Sequence, residues 1–299
     1  MIVVEGISKR FGRRKVLDNV SFDVKDGEIA GFVGLNGAGK TTTIRILAGV
    51  LTPNSGDVLI DGISIVKEKE KASRQVGWVP ELPLFDPNAK ALDYFVFIAG
   101  YYGISKSDAL SLGKRLFEEV GLAGREKDKL RNYSQGMKRR FLLAVSLISN
   151  TKNFLFDEVL NGLDPEGIQF FRDMALKLKK EGKSVLFSSH ILSEVESIAD
   201  KVIFIHQGKI LRTMEMNEIR KIVKSNDLKI ILGKADDNVL SIAKSFGKPE
   251  LDGNTLIIHD FNGELSELSS KLSPYEVLEV SRLKNSLEDV FFKIINGEL

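Results

Sequence analysis

Gly34-Leu35-Asn36-Gly37-Ala38-Gly39-Lys40-Thr41 has the residue types and spacing of a phosphate-holding loop, which Thr42 extends. Glycines let such a loop curl so that successive backbone N–H groups point inward, forming a nest for phosphate oxygens at a helix N-terminus. Lys40 adds a mobile positive charge for β- and γ-phosphates, and the Thr41 hydroxyl is a ligand that a magnesium shell accepts. The flanking text fits: EIAGFVG reads as a buried strand before the loop, and KTTTIRILAGV as a helix after it. A second chemical signal is NFLFDE at 153–158, an apolar strand ending in Asp157 and Glu158. Acids at that place lie on the carboxyl edge of a sheet, where open α/β folds bind ligands. There Asp157 can hold magnesium, and Glu158 can orient and deprotonate a water attacking a γ-phosphate. Together these residues predict binding of a nucleoside triphosphate. No Asn-Lys-x-Asp run for reading guanine occurs, which argues against a GTPase.

Elements that could position these groups follow from the apolar periodicity. IVVEGISKRF and KVLDNVSFDV alternate apolar and polar residues as strands do, and SGDVLIDG reads as a further hairpin arm. Residues 89–121 turn helical, and another helix is expected from Ser134 to about Ser149. NFLFDE, SVLFSSH and KVIFIHQGK are short apolar strands separated by helical stretches at 164–180 and 191–199. That alternation predicts a largely parallel sheet covered on both faces. KEKEK at 67–71 reads as a solvated loop. From about Asn217 the text changes. LKIIL, TLIIH and YEVLEV are strand candidates, with helical runs at Val239/Ile242/Ala243/Phe246 and Leu265/Leu268/Leu272 between them. A last helix is expected to open with a capping box at Ser286-Leu287-Glu288-Asp289. The division expected is 1–215 and 216–299, the second part being a small α+β domain.

Composition bounds the remaining choices. The chain has 299 residues, 43% hydrophobic and 28% charged, which suits a globular protein with a well-buried core and excludes a mainly disordered one. Forty-three basic against 41 acidic side chains leave a formal charge of +2, too little for a dedicated nucleic-acid binder, so no nucleic-acid partner is expected. The absence of cysteine excludes thiol catalysis, Cys-ligated zinc and disulfides. The longest stretch free of charge is 12 residues, 94–105, against about 20 for a membrane-spanning helix. MIVVEGISKRF lacks the pattern of a signal peptide.

Five further segments, in order with the two above, resemble the ATP-binding cassette (ABC) ATPases. Tyr133-Ser134-Gln135-Gly136-Met137 is similar to the family signature LSGGQ and stands 23 residues before Asp157. Gly162-Leu163-Asp164-Pro165 is similar to the D-loop, Ser188-Ser189-His190 to the segment carrying the switch histidine, and Phe11 to the aromatic that stacks on adenine. Gly77-Trp78-Val79-Pro80-Glu81 has Glu81 where the family usually carries Gln, Gln135 replaces the first signature glycine, and Val159 replaces a usual proline. The resemblance covers residues 1 to about 215. It implies a phosphate-loop NTPase cassette of α/β class, with an antiparallel β subdomain, a parallel-sheet core and a helical subdomain. It also implies ATP and Mg2+ as ligands, with Glu158 and His190 catalytic, Thr41 and Asp157 on the metal, and Ser134, Gly136 and Asp164 at nucleotide. YSQGM with the tail segment 286–291 is similar to the branch of drug- and lipid-exporting ATPases.

That resemblance implies a transport ATPase on the cytoplasmic face of the cell membrane, attached through a separate transmembrane permease subunit. Two cassettes, as a homodimer or with a second cassette, would close head to tail over ATP. Rivals are a soluble cassette acting on ribosomes or DNA and an importer subunit. Relatives of the soluble kind carry two cassettes or a long coiled coil, whereas 53 positions separate Glu81 from Ser134 and no heptads are sustained.

Overall fold

The chain begins as a hairpin because its alternation survives a local irregularity. β1 (Ile2–Phe11) buries Ile2, Val4 and Ile7, and β2 (Arg14–Val24) buries Leu17, Val20, Phe22 and Val24. Strict alternation would turn Gly6 inward. The register shifts between Val4 and Ile7 instead, with Gly6 at φ 60°, and this bulge returns Ile7 to the core. The computed structural model describes residues 1–82, 85–223, 226–283 and 286–299. They form two compact units, Met1–Met216 and Asn217–Leu299.

In the first unit the fully buried β3 (Ile29–Val33) feeds the glycine-rich loop and α1 (Lys40–Leu47). β4 (Ser55–Ile60) and β5 (Ile63–Ser64) complete a four-stranded sheet, β2-β1-β4-β5. KEKEK is not all loop. Lys69–Ser73 forms a short helix, α2, which buries Ala72 while its lysines and glutamate stay in water. β6 (Val76–Val79) then joins the main sheet, and α3 (Ala91–Tyr101), α4 (Lys106–Glu119) and α5 (Gln135–Ser146) form a helical layer. Its core is aromatic: Phe141 meets Phe117 edge-on at 5.8 Å and Tyr133 at 6.3 Å.

Four more strands and two helices follow: β7 (Asn153–Phe156), α6 (Pro165–Lys180), β8 (Ser184–Ser189), α7 (Leu192–Ile198), β9 (Lys201–His206) and β10 (Lys209–Glu215). The sheet order is β10-β9-β3-β8-β7-β6, parallel except for the β9–β10 hairpin. Register is what assembles a site. Val33 lies opposite Ser189, Phe156 opposite Phe187, and Val79 opposite Phe156. The loops after β3, β6, β7 and β8 therefore leave one edge of the sheet together. Phe156 packs edge-on against Phe171 of α6 at 5.3 Å, fixing the strand end directly before Asp157. Burial of one such ring stabilises the fold by about 2–3 kcal/mol.

The second unit is antiparallel. After α8 (Met216–Val223) come β11 (Leu228–Leu232), α9 (Asp237–Ala243), β12 (Lys248–Asp252), β13 (Thr255–His259), α10 (Leu265–Leu272), β14 (Val277–Arg282) and α11 (Leu287–Asn296). Its sheet runs β12-β13-β11-β14. Leu228, Ile230 and Leu232 alternate inward with Leu256 and Ile258, and Leu268 and Leu272 of α10 cover them. β12 escapes an apolar-pattern reading because KPELD has no fully buried residue. Phe246 lies beyond α9 and stacks on Phe261 at 6.1 Å. At α11 the capping box forms, Ser286 and Asp289 each bonding the other's backbone N–H.

Candidate nucleotide site

Glycine shapes the loop at two points where a side chain is barred. At Gly34 an added Cβ would sit 2.4 Å from the Ile205 carbonyl oxygen, and Gly39 caps α1 at φ 115°. No acid occupies the first turn of α1, so its N-terminal field is uncancelled. Lys40 is buried and donates from Nζ to the carbonyls of Gly34 at 2.7 Å and Leu35 at 3.4 Å. The lysine thus lies in the curl of the loop, with Leu35 exposed and Ala38 buried.

Beside the loop stand three carboxylates. Asp157 Oδ1 accepts from Ser188 Oγ at 2.9 Å and lies 3.2 Å from Thr41 Oγ1, which is also 3.3 Å from Glu81 Oε2. Asp157 Oδ2 is buried with no partner. Burial pushes the Asp157 carboxyl up to about 6, aided by the negative charges of Glu81 and Glu158 and opposed by the Ser188 and Thr41 hydrogen bonds. Glu158 takes a left-handed φ of 48°, which costs a non-glycine residue about 1–2 kcal/mol, and its N–H donates to Ser188 Oγ at 2.9 Å. That bend aims its carboxylate at the loop. Oε1 is 3.3 Å from Lys40 Nζ, while Oε2 is 2.9 Å from His190 Nδ1 and 3.3 Å from Asn161 Nδ2. Asn36, Gly37, Gly39, Lys40, Thr41, Thr42, Glu81, Glu158 and His190 all line one cleft of about 540 Å³, with Arg14, Val16 and Asn161. Its size suits one small-molecule ligand. Phe11 is not among these lining residues; it is half exposed at the end of β1, with Lys9 Nζ 5.4 Å from the centre of its ring.

Ser134, Gly136 and Asp164 lie elsewhere, in a second cleft of about 400 Å³. The Ser134 hydroxyl caps α5 by accepting from the Met137 N–H at 3.2 Å. Asp164 caps α6 through Gly167 N–H at 3.0 Å and accepts from Arg140 Nη2 at 2.9 Å. The Arg140 bond, followed by the Gly167 bond, holds the Asp164 carboxyl below the usual range.

Pattern reading assigned nothing to Ser188, Asn161 or Arg139. Ser188 ties both acids to β8, and only sheet register brings it level with them. Asn161 follows Glu158 by one turn. Arg139 is buried on α5 and donates from Nη1 to the Pro80 carbonyl at 2.8 Å. Among the described residues no three His, Asp or Glu side chains form a metal-holding group by themselves, and no helix is long and apolar enough to cross a membrane.

Residues 17–161 match the family model described as ABC transporter. The chain is 33% identical to the bacitracin transport ATP-binding protein BcrA of Bacillus licheniformis, over 99% of this chain and 98% of the relative. It is 36% identical to the lantibiotic transport ATP-binding protein SrtF of Streptococcus pyogenes, over 72% of this chain and 91% of the relative. A solved ATP-binding subunit of an ABC transporter aligns at 28% identity with a TM-score of 0.69, over 74% of this chain and 92% of that one. The chain belongs to the ABC transporter family as an ATP-binding subunit, an ATPase whose hydrolysis is coupled to transport.

Proposed function

We propose that this subunit drives export through a separate membrane permease, pairing head to tail with a second cassette over two Mg-ATP. One observation carries the pairing: Lys40, Thr41, Glu158 and His190 share one cleft, whereas Ser134, Gly136 and Asp164 share another. Each composite site would take the first cleft from one chain and the second from its partner. The names of the relatives support a cargo of the bacitracin or lantibiotic kind, and segment 286–291 supports the exporter branch. Attachment to the permease would place the chain on the cytoplasmic face of the membrane.

Within the first cleft the amides of 34–42 would hold phosphate oxygens, and Lys40 would exchange its loop carbonyls for the β- and γ-phosphates. The exposed Phe11 ring, on the hairpin whose Arg14 and Val16 line the cleft, is the candidate surface for adenine. Thr41 and Asp157 fit magnesium: a buried, unpartnered carboxylate oxygen beside a hydroxyl is a ligand pair short of a cation. When bound, the ion would neutralise charge on the phosphates. Glu81 borders that pair and would touch it or its water. Glu158, released from Lys40, would accept a proton from the attacking water, and His190 would turn from Glu158 to the γ-phosphate. Glu158→Gln is expected to lower ATP turnover about 10²–10⁴-fold with ATP binding retained. Unchanged turnover would remove Glu158 from the chemistry.

For the division of labour, 1–215 is proposed as the nucleotide-binding domain and 216–299 as an accessory domain dispensable for hydrolysis. A chain ending at Met216 keeps all of β10 and is expected to bind ATP; a folded chain of that length without ATP binding would overturn the division.

A further inference from the structure

Glu81 and Glu158 line the cleft and the buried Asp157 lies behind Thr41, and of these three carboxylates Lys40 pairs with Glu158 alone. A second cation stands behind them. Arg139, on α5 five positions after Ser134, is 8% exposed, and its Nη1 bond to Pro80 holds the peptide that leads into Glu81. Desolvation pulls its guanidinium below the usual arginine range, while Glu81, then Asp157, then Glu158 act to keep it charged. Among the described residues Arg139 makes no direct ion pair with any of the three. It grips the backbone and leaves the Glu81 carboxylate free to reach Thr41 Oγ1.

We propose that Arg139 is a positioning residue for ATP turnover. It sets the Pro80-Glu81 segment against the phosphate cleft and balances the carboxylate at position 81, so that a shift of the helix capped by Ser134 moves Glu81. The inference rests on Glu81 facing bound nucleotide. An arginine suits this role because one N–H bonds the carbonyl while the positive charge, spread over the guanidinium itself, acts on the neighbouring acids. If the neutral amide of glutamine replaced Glu81, the acid that acts on Arg139 most strongly would be gone, and the arginine would matter less.

A double-mutant cycle on the full chain tests it, reading kcat and KM for Mg-ATP hydrolysis in wild type, Arg139→Gln, Glu81→Gln and the double variant. Arg139→Gln is expected to lower kcat/KM about tenfold beside the native Glu81 and about twofold in the Glu81→Gln background, a coupling of the size neighbouring charged groups show. The loss should fall on kcat rather than KM, because ATP is held by the loop. Arg139→Lys should recover most of the loss beside Glu81. Equal losses in both backgrounds, or no recovery by lysine, would overturn the proposal. If Arg139→Gln melts beside Glu81 but folds in the Glu81→Gln background, the coupling is read from stability and supports it; melting in both backgrounds makes Arg139 a structural residue only. Glu81→Gln alone tests the placement of Glu81. No change in Mg-ATP kinetics there removes Glu81 from the nucleotide, while the ATP cleft itself is tested separately by Lys40→Ala.

Discussion

In the cleft around Lys40, charged groups answer one another: lysine to Glu158, Glu158 to His190, the Thr41 hydroxyl to Asp157 and Glu81. In the cleft around Ser134 the one arginine is committed to Asp164, its side chain only 14% exposed. What remains there is a hydroxyl and the N-terminal amides of α5, whose first turn has no acid. The first cleft gathers two acids, a histidine and a lysine, the groups that breaking a phosphoanhydride would need. The second carries the Asp164 and Glu166 carboxylates beside that arginine, and its donors, the Ser134 hydroxyl and the amides at the start of α5, suit holding an anion rather than acting on it. On the proposed reading the two clefts would complement each other across two chains.

The largest expected break of this contrast is Lys40→Ala. Removing the loop's cation, which also takes the lysine from the buried Glu158, should weaken ATP binding about 10²-fold or more, measured by titration calorimetry. ATP held with undiminished affinity would mean the loop is not the phosphate site. A smaller effect should follow from Arg140→Ala, which frees Asp164 in the second cleft. Turnover is expected to fall about tenfold while ATP affinity of the single chain barely moves, because cap and loop lie in different clefts. Equal damage to affinity would join what the contrast keeps apart.

The smallest effect lies outside both clefts. In the second unit His259 Nδ1 is 3.0 Å from Asp227, and Glu250 lies 3.6 Å from Nε2, with the Lys248–Asp260 pair nearby. The Asp227 hydrogen bond raises the His259 pKa above its ordinary 6.5, against the pull of burial. A raised histidine contributes stability that is fully present below 6.5 and lost as pH rises through its folded value. Asp227, held low, stays ionised across that window. The melting temperature of His259→Gln should therefore fall below wild type by about 1 °C or less at pH 6, and match it at pH 8, since a half-exposed pair is screened. ATP hydrolysis should be unaffected; a gap that widens toward pH 8 would reverse the sign.

How much of this was legible in the sequence depends on whether the requirement was local. The loop could be read because its glycine, lysine and threonine spacing is written in one short run, although the atom that bars a side chain at Gly34 is the distant Ile205 carbonyl. Asp157 and Glu158 could be read because an apolar strand ends at Phe156. Sheet register is not local. It alone brings Ser188 level with Asp157, and it alone gives β7 its place between β6 and β8. Arg139 was hidden for a related reason: nothing in the run Lys138-Arg139-Arg140 tells which cation turns inward, and only packing turns Arg139 toward Pro80 and Arg140 toward Asp164. β10 and β12 hide because edge strands need few apolar residues.

The central claim, that the two clefts meet across two chains, is tested by sizing Glu158→Gln with light scattering. Because hydrolysis is slowed, ATP should persist, and ligand that binds only the closed pair stabilises it by mass action. The variant is expected to be a dimer with Mg-ATP and a monomer with ADP. Adding Ser134→Arg puts a bulky side chain where the partner's γ-phosphate would bond, and should leave ATP bound at Lys40 but abolish the dimer. A dimer that forms with ATP and survives Ser134→Arg would contradict the composite site.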